Sequence, residues 1–241
     1  MRILHLFLLT FFMGCSAMWH VPADFIPIKI DGEKYDVFTY QRISDNYSPI
    51  HIYIEGDGNS FDAYGMPTNN PTPRGTFVRE LAASDDAKNV VYMARPCQFI
   101  KNKNCTISDW TDGRFSADIV KATADAIRQV AENRPIILIG YSGGAMLSGL
   151  VIEKNSDLNI VKWITIAGVL NHTDWTEYFG DTPLHSSQNL NELPHISQEH
   201  YVAEHDTIVP RTLSEKWVGS DNIIIVPNST HNKFPNLKIV F

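Results

Sequence analysis

The sequence alternates between short apolar runs and segments whose apolar residues recur at helical spacing. The clearest helical segment begins at Phe115, and Ser116 at its start is a typical N-cap residue. Its apolar face consists of Ile119, Ala122, Ala126, Ile127 and Val130. The apolar runs are short and bounded by turn residues, which predicts strands. These predicted strands read "KYDVFTY", "PIHIYIEG", "NVVYMA", "PIILIG", "VKWITIAG", "EHYVAEHD" and "NIIIVP".

Strands that alternate with helical segments predict a fold class. Such βα units build a mostly parallel sheet with helices on both of its faces. We therefore expect an α/β protein. After residues 1–17, no repeat, linker or shift in composition divides the sequence, so residues 18–241 are expected to form one domain.

The composition and net charge of the chain indicate which classes of binding partner are unfavourable. The 241 residues are 44% hydrophobic and 20% charged, which is typical of a globular protein with a large core. The formal net charge is −7, and no cluster of lysine and arginine offers a surface for phosphates. The sequence therefore argues against a nucleic-acid partner.

The first residues resemble a secretory signal. Arg2 precedes a largely apolar stretch, residues 3–13, that is too short to span a bilayer comfortably, and the apolar pattern of a buried helix does not continue beyond it. Small residues up to Ala17 fit cleavage by signal peptidase, whereas "FMGC" resembles a bacterial lipobox, in which Cys15 would carry a lipid. We expect an exported protein, secreted or in the bacterial envelope or periplasm, with a membrane tether at Cys15 as one of the two outcomes.

Two further cysteines, Cys97 and Cys105, are 8 positions apart. Nearby cysteines usually pair in the oxidising compartments that exported proteins reach, so a disulfide is expected. Two free thiols are the alternative. A zinc site is a weak interpretation, because neither a CxxC pair nor an HExxH motif accompanies these cysteines.

The stretch "GYSGG", residues 140–144, joins a predicted strand to a predicted helix. In such a turn, small flanking residues permit a strained backbone that would expose the hydroxyl of Ser142 above the sheet as a nucleophile. A Gly-rich tight turn without chemistry is the alternative. A nucleophilic serine also needs a base oriented by a carboxylate. A candidate carboxylate, Asp206, follows near the end of one later predicted strand, and a candidate base, His231, follows near the end of the next.

Three motifs together resemble the α/β-hydrolase superfamily. "GYSGG" resembles its nucleophile elbow, "HDTIVP" its acid loop and "STHNKF" its histidine loop. The resemblance implies an α/β-hydrolase fold with Ser142, Asp206 and His231 as nucleophile, acid and general base, and it implies no metal or organic cofactor. It also implies a short cap, at about residues 171–196. More narrowly, "ARPCQF" and "WTDGRFS" resemble small exported bacterial hydrolases with a short cap and a Cys pair.

Other residues compete for the roles of base and acid. His205 adjoins Asp206 but would point to the opposite side of a continuing strand, and His51 within a strand is more often a structural histidine. Asp174 follows another strand at a place where some α/β-hydrolases carry their acid. It remains an alternative to Asp206.

Acyl transfer needs N–H donors for a developing oxyanion. The backbone N–H of Gly143 is the first candidate, since it follows the serine. The second is expected from the loop "GDGNSF", at Asp57, which follows the matched Gly56, with Gly58 as the alternative. Where the superfamily usually has His-Gly, this chain has Glu55-Gly56. The loop lacks the third glycine of a dinucleotide fingerprint, which argues against a Rossmann cofactor.

Residues near the serine and in the expected cap are candidates for a substrate pocket. These are Tyr141, Asn171, His172 and Trp175. Cleavage of a small ester through an acyl-enzyme is the expected function. A thioesterase or peptidase would use the same triad, and a non-catalytic binding module of the envelope could use the same fold.

Overall fold

The computed structural model describes residues 20–235 and 237–241, so the expected signal over residues 1–17 and the lipidation candidate Cys15 lie outside it. Eight strands form one sheet in the order β1-β2-β4-β3-β5-β6-β7-β8. The strands are β1 (Ile26–Ile30), β2 (Val37–Ile43), β3 (Ile50–Ile54), β4 (Asn89–Met93), β5 (Ile136–Tyr141), β6 (Ile160–Ile166), β7 (Ser197–Ala203) and β8 (Ile223–Val226).

Five α-helices accompany the sheet. They are α1 (Phe77–Ala83), α2 (Ala117–Ala131), α3 (Gly143–Lys154), α4 (His172–Phe179) and α5 (Arg211–Val218). Short 3₁₀ turns span Ile107–Trp110 and Ser220–Asn222. Within the described ranges, none of the helices combines the length and apolar character needed to cross a membrane.

The strand directions confirm the expected α/β class. β1 and β2 run antiparallel to their neighbours, whereas the pairs from β4 through β3 to β8 are all parallel. The amphipathic segment forms α2, and the Ser116 hydroxyl accepts a hydrogen bond from the N–H of Ile119 at 3.4 Å, as its N-cap position predicts.

Four strands and helices were not predicted, and one strand is shorter than expected. β1 is an exposed edge strand, and the helices α1, α4 and α5 have only 7, 8 and 8 residues, so each is too short for a clear apolar period. The strand expected to reach Asp206 ends at Ala203. Its last paired residue lies opposite Val226, where β8 also ends, so no partner strand continues beyond it. Asp206 therefore lies in the turn that follows.

The sheet separates two apolar layers. Ile50, Ile52 and Ile54 of β3 pack into one layer with α2 and α3, while Tyr53 points into the other layer with α1. This alternation is the period of a strand that is buried on both faces. The parallel strands are thus held between helices, and their carboxyl ends share one edge of the sheet.

A disulfide joins Cys97 and Cys105, as the sequence analysis expects. It closes the excursion between β4 and the 3₁₀ turn that precedes α2. Cys97 is fully buried in the same apolar layer as α2. The bridge therefore anchors this excursion to the core.

Replacing both cysteines by alanine should lower the free energy of unfolding by about 2.5 kcal/mol, because the unfolded chain loses the restriction of a short closed loop. Urea unfolding of Cys97→Ala/Cys105→Ala and of the oxidised wild type measures the difference. Wild type treated with a reducing agent should approach the stability of the variant. Equal stability of the oxidised and reduced proteins would contradict the assigned role of the bridge.

Candidate active site

The turn between β5 and α3 holds Ser142 in a strained backbone conformation. Its φ of 51° lies in the left-handed region, which non-glycine residues seldom adopt. Two hydrogen bonds hold it there: Ser142 N–H donates to the Ile166 carbonyl at 3.0 Å, and Val169 N–H donates to the Ser142 carbonyl at 3.1 Å. The end of β6 therefore fixes the turn from one side.

Glycines around the serine permit a close approach of backbone segments. A Cβ on Gly140 would lie 2.5 Å from the Gly144 carbonyl oxygen, and a Cβ on Gly144 would lie 2.5 Å from the Glu55 carbonyl oxygen. Real Cβ atoms do not approach that closely, so side chains at these positions would force the turn open. The Gly-rich sequence is required by the packing of the turn against the end of β3.

Ser142, His231 and Asp206 form a continuous series of contacts. Ser142 Oγ lies 3.0 Å from His231 Nε2, and His231 Nδ1 lies 2.9 Å from Asp206 Oδ2. The Asp206 side chain is fully buried, and its Oδ1 accepts hydrogen bonds from the N–H groups of Ile208 and Val209 at 2.9 and 2.8 Å. An ionised Asp206 can only accept, so the His231 Nδ1–H donates to it and the unprotonated Nε2 faces the serine hydroxyl.

Tyr141 holds the loop that carries His231. Its hydroxyl lies 2.7 Å from Asn232 Oδ1 and 3.0 Å from the His231 carbonyl oxygen, and its ring centroid is 5.3 Å from that of the imidazole. Burial raises the pKa of Tyr141 well above its ordinary value, so the phenol stays protonated and remains a donor. Tyr141 also lines the cleft, where the sequence predicted it.

Asp57 lies over the start of α3 between two buried arginines. Arg95 donates to its carboxylate, and Arg114 Nε lies 3.1 Å from Oδ2. Burial alone would raise the pKa of Asp57, but the Arg114 and Arg95 guanidinium groups outweigh it and hold that pKa below its ordinary value. The carboxylate lies so close to Gly143 that a Cβ there would collide with it. This ion-pair cluster fixes the loop after β3 against the helix.

The expected oxyanion donors lie on these two segments. No hydrogen bond among the described residues uses the backbone N–H of Gly143 or of Asp57, and Asp57 lines the cleft beside Ser142. Gly58 also lines the cleft, and its φ of 66° is one that glycine adopts readily. Asp57 and Gly58 thus both stay candidates for the second donor.

Glu55 occupies the bend where the resemblance would place histidine. It is buried, and its carboxylate accepts hydrogen bonds from Gly56 N–H at 3.0 Å and from the Tyr92 hydroxyl at 2.9 Å. Burial raises the pKa of this carboxyl. The side chain therefore braces the bend from within the core.

A cleft of about 1010 Å³ opens beside Ser142, which is itself half-buried. This volume is at the upper end of the range for small-molecule sites. Its apolar lining includes Phe77, Leu81, Phe115, Val169, Trp175, Ile208, Val209, Phe234 and Leu237. Its polar lining includes Arg74, Glu80, Arg114, His172, Asn232 and Lys233.

No protein-family model and no curated protein matches the chain, but solved structures do. An α/β serine hydrolase without a lid from Xanthomonas campestris has a TM-score of 0.53 at 16% identity, over 87% of each chain. Est1E from Butyrivibrio proteoclasticus has a TM-score of 0.59 at 12% identity, over 87% of this chain and 91% of its own. The thioesterase domain from the curacin biosynthetic pathway has a TM-score of 0.55 at 10% identity, over 86% of this chain and 94% of its own.

This chain has the α/β-hydrolase fold. The expectation drawn from the three sequence motifs is thereby confirmed for the fold. In an α/β-hydrolase fold, a strand-to-helix turn presents its serine at the carboxyl edge of the sheet. Ser142 occupies such a turn between β5 and α3, at an edge shared with the loops of Asp206 and His231.

The expected cap, residues 171–196, borders the cleft of this α/β-hydrolase fold only through α4. Trp175 and His172 line the cleft, and the Trp175 indole N–H donates to the Ile208 carbonyl at 2.7 Å. Asn171, also expected in the pocket, does not line the cleft. Its side chain instead caps α4 by accepting from Asp174 N–H at 3.0 Å. Further along, Leu190 is buried in the core beneath the sheet.

The competing residues lie in other surroundings. Asp174 is held by Lys216 at 2.5 Å and by the Trp217 indole N–H at 2.8 Å, so its carboxylate is occupied away from His231. His205 is an exposed side chain, and His51 pairs with the buried Asp85 at 2.7 Å.

Sequence reasoning missed Arg95 and Arg114. Arginine is seldom buried unless it is paired, and nothing in the local sequence shows that Asp57 will be its partner. The only signal was that both arginines stand inside the motifs "ARPCQF" and "WTDGRFS". Within residues 20–235 and 237–241, no group of three or more His, Cys, Asp or Glu side chains is arranged to hold a metal ion.

Gly143→Ala should lower the free energy of unfolding by about 1–3 kcal/mol, because the new methyl group would displace the Asp57 carboxylate from its arginines. Gly75→Ala is the matched control, since no heavy atom lies within 4 Å of a Cβ at that position. It should change stability by less than about 0.5 kcal/mol. Urea unfolding compares the two variants, and equal stabilities would contradict the tight packing of Asp57 on the helix.

Proposed function

We propose that the protein is a serine hydrolase that cleaves a small-molecule ester through an acyl-enzyme, as a carboxylesterase does. The observation that carries this proposal is the series of contacts from Ser142 Oγ through His231 to the buried Asp206, at 3.0 and 2.9 Å. A serine hydroxyl is a weak nucleophile, and a base at hydrogen-bond distance activates it. The serine lines a cleft large enough for a small ester.

In the first half of the reaction, His231 Nε2 takes the proton of Ser142 as Oγ forms a bond to the carbonyl carbon of the ester. The resulting oxyanion receives hydrogen bonds from Gly143 N–H and from Asp57 N–H, with Gly58 N–H as the alternative second donor. The tetrahedral intermediate collapses as His231 gives its proton to the leaving alkoxide. The products are a free alcohol and an acyl group on Ser142.

In the second half, a water molecule gives a proton to His231 and attacks the acyl carbon. Collapse of that intermediate returns the proton to Ser142 Oγ and releases the carboxylic acid. Asp206 stays ionised throughout and stabilises the imidazolium that forms in each half. Two backbone N–H groups donate to its Oδ1 and keep the carboxylate in position against His231.

We propose an oxygen ester as the bond that is cleaved, because the cleft beside Ser142 is accessible. Only α4 of the expected cap borders it, which favours a small or accessible substrate over one that needs a large lid. A thioester or a peptide would use the same triad. The fold alone is shared with the curacin thioesterase domain, so a thioester is the second substrate class to measure.

A non-catalytic binding module of the envelope is the competing hypothesis from another class. A cap that seals the serine from solvent would favour it. The half-buried Ser142 lines an open cleft instead, and both contacts of His231 are at hydrogen-bond distance. These observations favour catalysis.

Ser142→Ala should abolish both labelling by a fluorophosphonate and turnover of short p-nitrophenyl esters, because the attacking oxygen is removed. His231→Gln should lower kcat by about 10⁴-fold or more, since no group then takes the proton. The assay is burst and steady-state hydrolysis of acetate, butanoate and octanoate esters, with the butanoyl thioester in parallel.

Ser156→Ala is the matched control, because Ser156 is exposed beyond α3 and should leave labelling and turnover unchanged. Faster turnover of the thioester than of the oxygen ester would replace the proposed substrate class and keep the triad. No labelling of folded wild-type protein would overturn the hydrolase proposal and favour the binding module.

We also propose export of the protein, with a membrane tether at Cys15. The disulfide between Cys97 and Cys105 supports export, because such bonds form in oxidising compartments. The full chain expressed in a Gram-negative bacterium should incorporate alkyne-palmitate, and Cys15→Ser should not. An unlabelled soluble protein that begins after Ala17 would contradict the tether, and retention in the cytoplasm would contradict export.

A further inference from the structure

His172 is a buried polar side chain that the proposed reaction does not use. Only 6% of the residue is exposed, and it lines the same cleft as Ser142. Neither of its ring nitrogens has a hydrogen-bond partner among the described residues. Buried polar groups are normally satisfied, so each exception requires an explanation.

The residues around His172 hold its ring in place but form no hydrogen bond with its ring nitrogens. The imidazole stacks on Phe115, with the centroids 5.9 Å apart and the planes 11° from parallel. Its backbone N–H donates to Asn189 Oδ1 at 2.9 Å, which fixes the start of α4. The ring is thus held at the wall of the cleft by packing and by the backbone.

The surroundings of the imidazole favour its neutral form. Burial lowers the pKa of His172, and the Arg114 guanidinium lowers it further, while the backbone of Ser187 and Gln188 and the carboxylate of Asp112 act in the opposite direction. A neutral imidazole presents one N–H donor and one acceptor nitrogen. A hydroxyl group can satisfy either nitrogen, because it both donates and accepts.

We propose that His172 is a specificity-determining residue that binds a hydroxyl group of the substrate in the cleft that Ser142 also lines. This inference rests on the proposed function and narrows it to hydroxylated esters. Phe115 and Trp175 border the same cleft and supply apolar surface for the carbon skeleton around the hydroxyl. The hydroxyl belongs either to the acyl part or to the alcohol part of the ester.

Two matched pairs of esters test the proposal and separate these sources. In the acyl pair, p-nitrophenyl 3-hydroxybutanoate is compared with p-nitrophenyl 3-methylbutanoate. In the alcohol pair, 2-hydroxyethyl butanoate is compared with propyl butanoate. Each pair exchanges a hydroxyl for a methyl group at nearly constant size. The ratio of kcat/KM for hydroxyl over methyl is measured in wild type and in His172→Phe, so that the intrinsic reactivity of the esters cancels.

In one of the two pairs, His172→Phe should lower this ratio by about tenfold, the effect of one hydrogen bond. His172→Gln, which keeps a donor and an acceptor, should restore part of the preference. His195→Phe is the matched control, because the His195 side chain is 88% exposed and lies outside the cleft, and it should keep the wild-type ratio.

The outcomes separate this inference from the proposed function. Turnover that depends on Ser142, with ratios unchanged in His172→Phe for both pairs, would overturn the inference and leave the hydrolase proposal intact. Absence of labelling and of turnover would overturn both. If His172→Phe fails to fold, the imidazole ¹⁵N resonances of His172 in Ser142→Ala decide. In at least one of the two pairs they should shift with the hydroxyl ester and not with the methyl ester, and equal shifts in both pairs would overturn the inference.

Discussion

The site depends on the close packing of the turn around Ser142 against the end of β3. A side chain on Gly144 would lie 2.5 and 2.6 Å from the carbonyl oxygens of Glu55 and Ile54. Neither segment can retreat easily, because Glu55 N–H is bonded to the Met93 carbonyl and α3 packs on β5. The start of α3 and the loop after β3 are therefore held side by side, which places Gly143 against Asp57.

Polar contacts further hold the loop after β3 against the start of α3. The Asp57 carboxylate links Arg95, just after β4, to Arg114, just before α2, so three separate loops meet over the start of α3. A buried charge is strongly unfavourable without such partners, so the loops are mutually dependent. The disulfide between Cys97 and Cys105 closes the segment next to Arg95. The bridge therefore restricts the segment that carries one of the two guanidinium groups on Asp57.

The sequence predicted what depends on local pattern and chain order. The parallel strands, α2 and the strand-to-helix turn at Ser142 follow from apolar period and glycine placement, and the order of Asp206 and His231 follows from motif resemblance. The rest depends on tertiary contacts. The exposed edge strand β1 has no burial period, and Asn171 became a helix cap because the chain turns into α4 there. The arginine partners of Asp57 come from distant loops, and no local signal pairs them.

Polar groups without hydrogen-bond partners lower the stability of a fold, and in this protein such groups lie near the proposed catalytic serine. Both ring nitrogens of His172 are buried without a hydrogen-bond partner among the described residues, and His172 lines the cleft with Ser142. The N–H groups of Asp57, which lines the same cleft, and of Gly143, which directly follows Ser142, also have no hydrogen-bond partner among the described residues. A folded protein gains stability by satisfying such groups, so their concentration in one cleft reflects a constraint other than stability. A substrate whose oxygens bind these donors and acceptors would supply the missing interactions only when it is bound, which couples binding energy to the position of the reacting atoms.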